Sequence, residues 1–480
     1  MIDIAYISAY VLAAFFAAIM ATLSVASATH YTKGRSTGWL QYYFYAVFFH
    51  MTVIAVLSNR ELTAATAELA ANAPTGPSAL TTWTSRFVSV FLVVSSLERI
   101  FSVWLSREKR TKTASILAIS FVVLWITTVA SPSFLSPHAG ASHDIIYPLL
   151  IGWAMIQFSA LECSEALVAA RNGTLFFVFL GYLFLPIKPR LVIETGYTQG
   201  YIPGLPRFAG LAPHAVSLGL LVQMSLLLLW DNPYKRAWLN RVAWLLGLSA
   251  LFLAQSKTAW LSFLLSAVIM LMYRNGEKIN RRLLDPTRPN LAIGVVVLVV
   301  FGALALAGVF VWGNLGTKLL AFLDSAEGNQ LMTLTGRDQI WAIALSEFKA
   351  NPLLGYGANL FSFEYRLSIG LLNAGHGHNE LMDTLGRSGL VGTIPLLIYF
   401  ILLSIYSFRY AAATRGLSLA IYVVLAFRCV SEVPLSVATN GHEFAAHLTL
   451  LLVLVGAAHA QRKVIPATSK RPVTPLWATA

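Results

Sequence analysis

The chain has 480 residues, 57% of them hydrophobic and only 11% charged, against roughly 25% charged in a soluble domain. With a mean hydropathy of +0.68, this excludes an ordinary soluble enzyme and predicts an all-α polytopic membrane protein. Helices satisfy their own backbone hydrogen bonds in lipid, whereas a β-barrel would read as alternating segments of about ten residues. The formal charge of +13 does not signal nucleic acid, because the basic residues sit in short loops between apolar runs and no recognition motif accompanies them.

Continuous apolar runs predict a bundle of about 12–14 transmembrane helices, centred near residues 14, 48, 93, 122, 157, 180, 221, 247, 265, 302, 398, 424 and 452. The first run follows Asp3 and lacks a basic start, so it reads as an uncleaved span and not a signal peptide. The basic loops 32–35, 107–112, 235–241, 274–288, 409–415 and 462–471 all fall on one side. The positive-inside rule makes that side cytoplasmic, as in an inner membrane. The opposite, periplasmic side receives 59–79, 131–143, 187–211, the tight turn 255–258 and one long segment ending near residue 389.

The organisation is N-terminal helices over 1–200, a core with cationic external turns over 201–312, and a large periplasmic loop over 313–388. C-terminal helices follow over 389–462 and a cytoplasmic tail over 463–480. Within the loop, a helical stretch at 339–349 and a turn at 352–357 predict a small folded external element. Cys163 and Cys429 lie in apolar runs without metal-ligand spacing and read as packing residues. Glu98, Arg99, Glu162 and Glu165 are charges within apolar runs. They fit a helix–helix ion pair more simply than the pathway of a transporter, for which no repeat is visible.

The chemistry concentrates at the periplasmic side. Arg207, Lys257 and Arg337 are cations there, and His378 opens the span after the long loop. A cation at a membrane face ordinarily binds lipid headgroups or snorkels. Three cations with a histidine also suit a diphosphate, for which arginine offers a planar fork and lysine a point charge. His378 fits a general base, since an ordinary histidine titrates near neutrality. Asn379 is a good N-cap for the helix that follows. Glu380 and Asp383 cap that helix or orient the imidazole, His376 is a supporting group, and His214 lies near the same face. No Asp-x-Asp pair, Walker loop or Gly-x-Ser-x-Gly elbow is present. No metal or other cofactor is expected, and the cations take the place of a metal on the leaving phosphate.

His378-Asn379, then Gly389-x-x-Gly392, resembles the signature of the O-antigen ligase and polymerase superfamily. Thr335-Gly336-Arg337 with Trp341, and Pro352-Leu353-Leu354-Gly355-Tyr356-Gly357, are similar to the family's external-loop pattern. Arg207-x-x-Gly210 with Pro213 resembles its earlier arginine motif, and Ser256-Lys257-Thr258 occupies the place of a Ser-Arg-Gly turn. Lys257 replaces the usual arginine, and Arg387 stands where members often carry a glutamate.

The resemblance implies a metal-independent, inverting glycosyltransferase with a GT-C-like fold and an undecaprenyl-diphosphate-linked glycan as donor. His378 would deprotonate the acceptor hydroxyl, while Arg207, Lys257 and Arg337 would hold the diphosphate. The acceptor would be another glycan, lipid A-core or a protein hydroxyl, with membrane lipid around the site and a chain-length regulator as a further partner. The Ser-Lys-Thr turn tilts the reading toward a polymerase of O-antigen or exopolysaccharide. Ligation onto lipid A-core or protein is the alternative, and a flippase for the same lipid-linked glycan is an alternative of another class.

Overall fold

The computed structural model describes residues 15–283 and 337–464, except 17, 31–35, 59, 63–77, 107–109, 195–204 and 372–373, with a few helical positions between 293 and 301. The start of the expected first span, most of the span near 302, Thr335, Gly336 and the tail from 465 lie outside the described residues. The chain is an all-α, multi-pass membrane protein. Seven described helices are long and apolar enough to cross a membrane, and four shorter apolar helices accompany them.

The helices in chain order are α1 (Tyr43–Leu57), α2 (Ala79–Ser106), α3 (Lys112–Phe134), α4 (Ile146–Ile156), α5 (Ala160–Ile187), α6 (Ala215–Asp231) and α7 (Ala237–Leu253). They continue with α8 (Lys257–Leu283), α9 (Arg337–Ala350), α10 (Phe363–Ser368), α11 (Glu380–Ala411), α12 (Leu417–Ser431) and α13 (His442–Val464). A two-residue antiparallel ladder pairs β1 (Ile193–Glu194) with β2 (Arg207–Phe208), Glu194 opposite Arg207. Helix α13 is central: 78% of its most apolar window is buried, against 22% for α8. It packs on α5, α6 and α12, while α12 also packs on α8 and α11.

The apolar run near 157 is not one span. Helix α4 stops at Ile156, and Ser159 begins α5 with a reciprocal capping box. The Glu162 amide donates to Ser159 Oγ at 3.4 Å, and the Ser159 amide donates to Glu162 Oε2 at 2.7 Å. This capping chemistry breaks a stretch that hydropathy alone reads as continuous.

The same junction resolves the charges within the apolar runs. Arg99 pairs with Glu162 at 2.8 Å and donates to the Gln157 carbonyl at 2.6 Å. Glu98 accepts from Ser36 and Ser102 hydroxyls, both at 2.9 Å, and from the Thr37 amide at 3.1 Å. Glu165 is exposed. The buried groups therefore form the expected helix–helix ion pair.

The two ends of the bundle differ. At one end Asp231 takes Arg274 at 2.6 Å and Arg415 at 3.6 Å, and Arg171 donates to the Asn232 carbonyl. The starts of α6, α8 and α13 and the end of α12 define the other. The 15 residues of α12 separate the ends by about 22 Å at 1.5 Å per residue.

The external element has its own small core of Ile340, Ala344, Leu360, Phe361 and Ala374. The helix expected at 339–349 occupies Arg337–Ala350. The 352–357 turn docks on α11 where that helix is interrupted. Tyr356 and Gly357 amides donate to the Gly386 and Arg387 carbonyls at 2.8 and 3.0 Å, and the Leu390 and Val391 amides donate to the Pro352 and Leu353 carbonyls at 2.9 and 3.1 Å. Gly389 makes this interlock possible. Its φ is 56°, and a Cβ there would lie 2.5 Å from the Leu353 backbone, so a side chain is excluded by both conformation and space.

Candidate active site

The segment carrying His378 is fixed from both flanks. Asp383 Oδ1 accepts from the Gly377 amide at 2.7 Å, and Trp341 Nε1 donates to the Gly377 carbonyl at 2.9 Å. Asn379 is the N-cap of α11, its Oδ1 accepting from the Leu381 and Met382 amides at 3.0 Å each. Between these restraints His378 is held at φ 45°, a left-handed conformation uncommon outside glycine and typical of functional positions. Its amide donates to His376 Nδ1 at 3.1 Å.

The residue that gathers the site is Glu432, at the C-terminal end of α12. His376 Nε2 lies 3.1 Å from Glu432 Oε2, His378 Nδ1 lies 3.3 Å from the same oxygen, and Arg337 Nη2 lies 3.8 Å from Oε1. Arg337 and His378 thus meet at one carboxylate although 41 positions separate them in sequence (378 minus 337). His378 Nδ1 is buried and makes no hydrogen bond, with the Glu432 carboxylate its charged neighbour, while 24% of the side chain is exposed. If Nδ1 carries the proton toward Glu432, Nε2 is the basic nitrogen.

Burial lowers the His378 pKa below the ordinary 6.5, and this outweighs the opposing influence of the Glu432 carboxylate. Burial would raise Glu432, but the two histidines and the Arg428 charge hold it well below the carboxylate range. The site therefore combines a neutral imidazole with an ionised carboxylate at neutral pH.

Arg207 is 5% exposed. Its Nη1 lies 3.2 Å from Glu194 Oε2, and its Nε donates to the Ala254 carbonyl at 3.1 Å. It thus braces the turn at Gln255, φ 47°, from which the exposed Lys257 begins α8. Glu194 also accepts from the Ala215 amide at the start of α6, at 2.6 Å, and lies 3.9 Å from His214. The His214 side chain is 65% exposed and feels the charges of both Glu194 and Glu432. The arginine–lysine turn and the His378 cluster therefore share one end of the bundle and one electrostatic neighbourhood.

Glu380 and Asp383 do other work than the sequence suggests. Glu380 Oε2 accepts from the Leu435 amide at 2.8 Å and so anchors the loop that carries Glu432. Asp383 tethers Gly377 and pairs with Arg387 at 3.0 Å. Arg387 in turn donates to the Ala358 carbonyl at 2.8 Å, tying the external element to α11.

Sequence reasoning missed Glu432 and Arg60. The signal for Glu432 was available: a lone acidic residue directly after the apolar run 416–431, opening the loop opposite His378. Arg60 organises the Arg207 motif, donating to the carbonyls of Leu191, Gly210 and Ala212 at 3.1, 3.2 and 2.8 Å.

His376, His378 and Glu432 place three potential ligand atoms within 4.8 Å of one another, a set that could hold a metal ion. The Arg337 guanidinium lies 3.8 Å from Glu432 beside the same set.

This end of the bundle defines a membrane protein with a histidine–carboxylate–arginine site at its surface. Residues 242–397 match the family described as O-antigen ligase. The span contains Lys257, Arg337, His376 and His378, while Arg207 and Glu432 lie outside it. Comparison with curated proteins gives no match.

Proposed function

We propose that the chain is an O-antigen ligase-type glycosyltransferase of the inner membrane. It moves a glycan from an undecaprenyl-diphosphate carrier to a hydroxyl acceptor of the lipid A-core class on the periplasmic face. The observation that carries the proposal is the meeting of Arg337 and His378 at Glu432. The family match supports ligation over the polymerase reading drawn from the Ser-Lys-Thr turn.

In the proposed reaction His378 Nε2 takes the proton of the acceptor hydroxyl, and the oxygen attacks the anomeric carbon from the face opposite the diphosphate. The bond from that carbon to the diphosphate oxygen breaks, so the anomeric configuration inverts. Glu432 holds the Nδ1 proton and stabilises the imidazolium as it forms. Arg337 and Lys257 take the charge that develops on the departing diphosphate, with Arg207 setting the Lys257 turn. No metal is required, and the architecture is of the GT-C kind. A flippase reading is weaker, because Glu98, Arg99 and Glu162 are used in mutual and local contacts.

The test is glycan transfer by wild-type and His378→Ala protein in liposomes, with a lipid-diphosphate oligosaccharide donor, EDTA and a varied acceptor. Transfer by wild type alone, unaffected by EDTA, is the expected result. Loss of transfer in EDTA sinks the metal-free mechanism, and equal transfer by the variant sinks His378 as base. Activity with a second lipid-linked glycan but not with lipid A-core returns the reading to a polymerase.

A further inference from the structure

A cavity lies at the end of the bundle opposite the candidate site, about 22 Å away along α12. It encloses about 310 Å³ between the starts of α5 and α12 and the ends of α6 and α13. Its walls are largely apolar or small, including Cys163, Leu167, Leu228 and Gly456, and its polar lining includes Arg171, Asp231 and Arg415. The space is far larger than a phosphate ion needs, and most of it offers an anion nothing.

The charges at the rim do not cancel. Asp231 is matched by Arg274 at 2.6 Å, a contact in which Arg274 also donates to the Trp230 carbonyl at 2.9 Å. Arg415 reaches the same carboxylate only at 3.6 Å and is 63% exposed. Arg171 donates to Asn172 Oδ1 and the Asn232 carbonyl and lies 4.2 Å from the Tyr234 ring centroid, with no carboxylate in ion-pair range among the described residues. Two guanidinium groups therefore face a cavity whose one lining carboxylate is already engaged.

Arg415 is also held at φ 51°. A left-handed arginine costs conformational energy that a glycine would not, and such strain clusters at ligand sites. Gly416 follows at φ 90° and packs against Met270 and Tyr273, so the loop is pinned in this shape. By the positive-inside rule this end faces the anionic inner leaflet, where each basic residue attracts acidic headgroups.

We propose that this cavity is a binding site for an anionic phospholipid of the cytoplasmic leaflet, its phosphate at Arg415 and Arg171 and part of one acyl chain against Cys163, Leu167 and Leu228. The bound lipid bridges α5, α6, α12 and α13, of which α12 ends at Glu432 on the opposite side. The proposal stands on its own residues and survives or fails independently of the transfer reaction.

Native mass spectrometry of the full-length protein, released from nanodiscs of mixed phosphatidylglycerol and phosphatidylcholine, tests it. Wild type should retain phosphatidylglycerol over phosphatidylcholine by about ten-fold, the discrimination expected of a charge-assisted contact. Arg415→Gly removes the guanidinium and the strained side chain together, so it should abolish the preference while leaving the unfolding temperature equal or higher. Gly456→Leu, whose Cβ would stand 3.3 Å from Cys163 Cβ, should fill the cavity and lose the lipid with the arginines intact. Equal retention of both lipids by wild type, or undiminished phosphatidylglycerol in either variant, overturns the proposal. Displacement of the lipid by millimolar inorganic phosphate alone would reassign the site to a free anion.

Discussion

The charged groups around Arg99 and around Glu432 are built differently. Around Arg99 the contacts are short: 2.8 Å to Glu162 and 2.6 Å to Gln157, with side chains 5% and 12% exposed in the ion pair. Around Glu432 they are longer, from 3.1 to 3.8 Å, and the partners His376, His378 and Arg337 remain 24–33% exposed. The first group spends its hydrogen bonds joining helices. The second keeps a histidine within reach of an incoming hydroxyl, in the loose geometry common to sites without substrate. Burial of charge alone does not mark function; residual exposure, long contacts and a strained backbone together do.

Substitutions should separate the two groups cleanly. His378→Asn, which tolerates the left-handed backbone, should lower the turnover rate by about 10²–10⁴-fold with the thermal unfolding midpoint unchanged, read by donor consumption and differential scanning fluorimetry. A drop of less than ten-fold would remove the histidine from the chemistry. Glu162→Gln should do the reverse. Leaving Arg99 buried without its carboxylate should cost about 3–5 kcal/mol, seen as a lower midpoint and poorer yield, with unchanged turnover per folded molecule.

Arg337→Ala should reduce turnover by about 10²–10³-fold, the scale of losing one charge-stabilising donor, and lysine should restore part of it. Equal loss with the donor's diphosphate replaced by a neutral leaving group would place Arg337 elsewhere.

The smallest effect is also the most diagnostic. Only neutral His378 is a base, and its lowered pKa keeps it neutral further into acid. The acid limb of the rate profile should therefore lie below pH 6.5, the ordinary histidine value. Glu432 supplies two of the influences that raise this pKa, so Glu432→Gln should move the limb lower still and reduce the plateau about ten-fold. A limb that moves upward, or stays fixed while the plateau falls, contradicts the positioning role.

Much of this was legible in the chain because the governing effects are local or solvent-driven. Asn379 caps α11 because its side chain satisfies amides two and three residues on. Gly389 stands in a pattern because one backbone conformation demands it. The run near 157 misled because hydropathy has no term for the Ser159–Glu162 box. The bonds of Glu380 and Asp383 to the Leu435 and Gly377 amides were not legible, because helix position does not reveal those partners.

The sequence by itself determined the membrane environment, the helical class, the side on which basic loops gather and the list of titratable residues at the opposite side. Each follows from transfer of backbone and side chains between water and lipid, which depends on composition and order along the chain. Only the tertiary structure decided that Arg337, His376 and His378 share Glu432, that Arg207 braces the Lys257 turn, and that arginines ring a cavity at the far end. Those are meetings between distant segments, fixed by how α5, α6, α11, α12 and α13 pack, and packing is a property of surfaces in three dimensions.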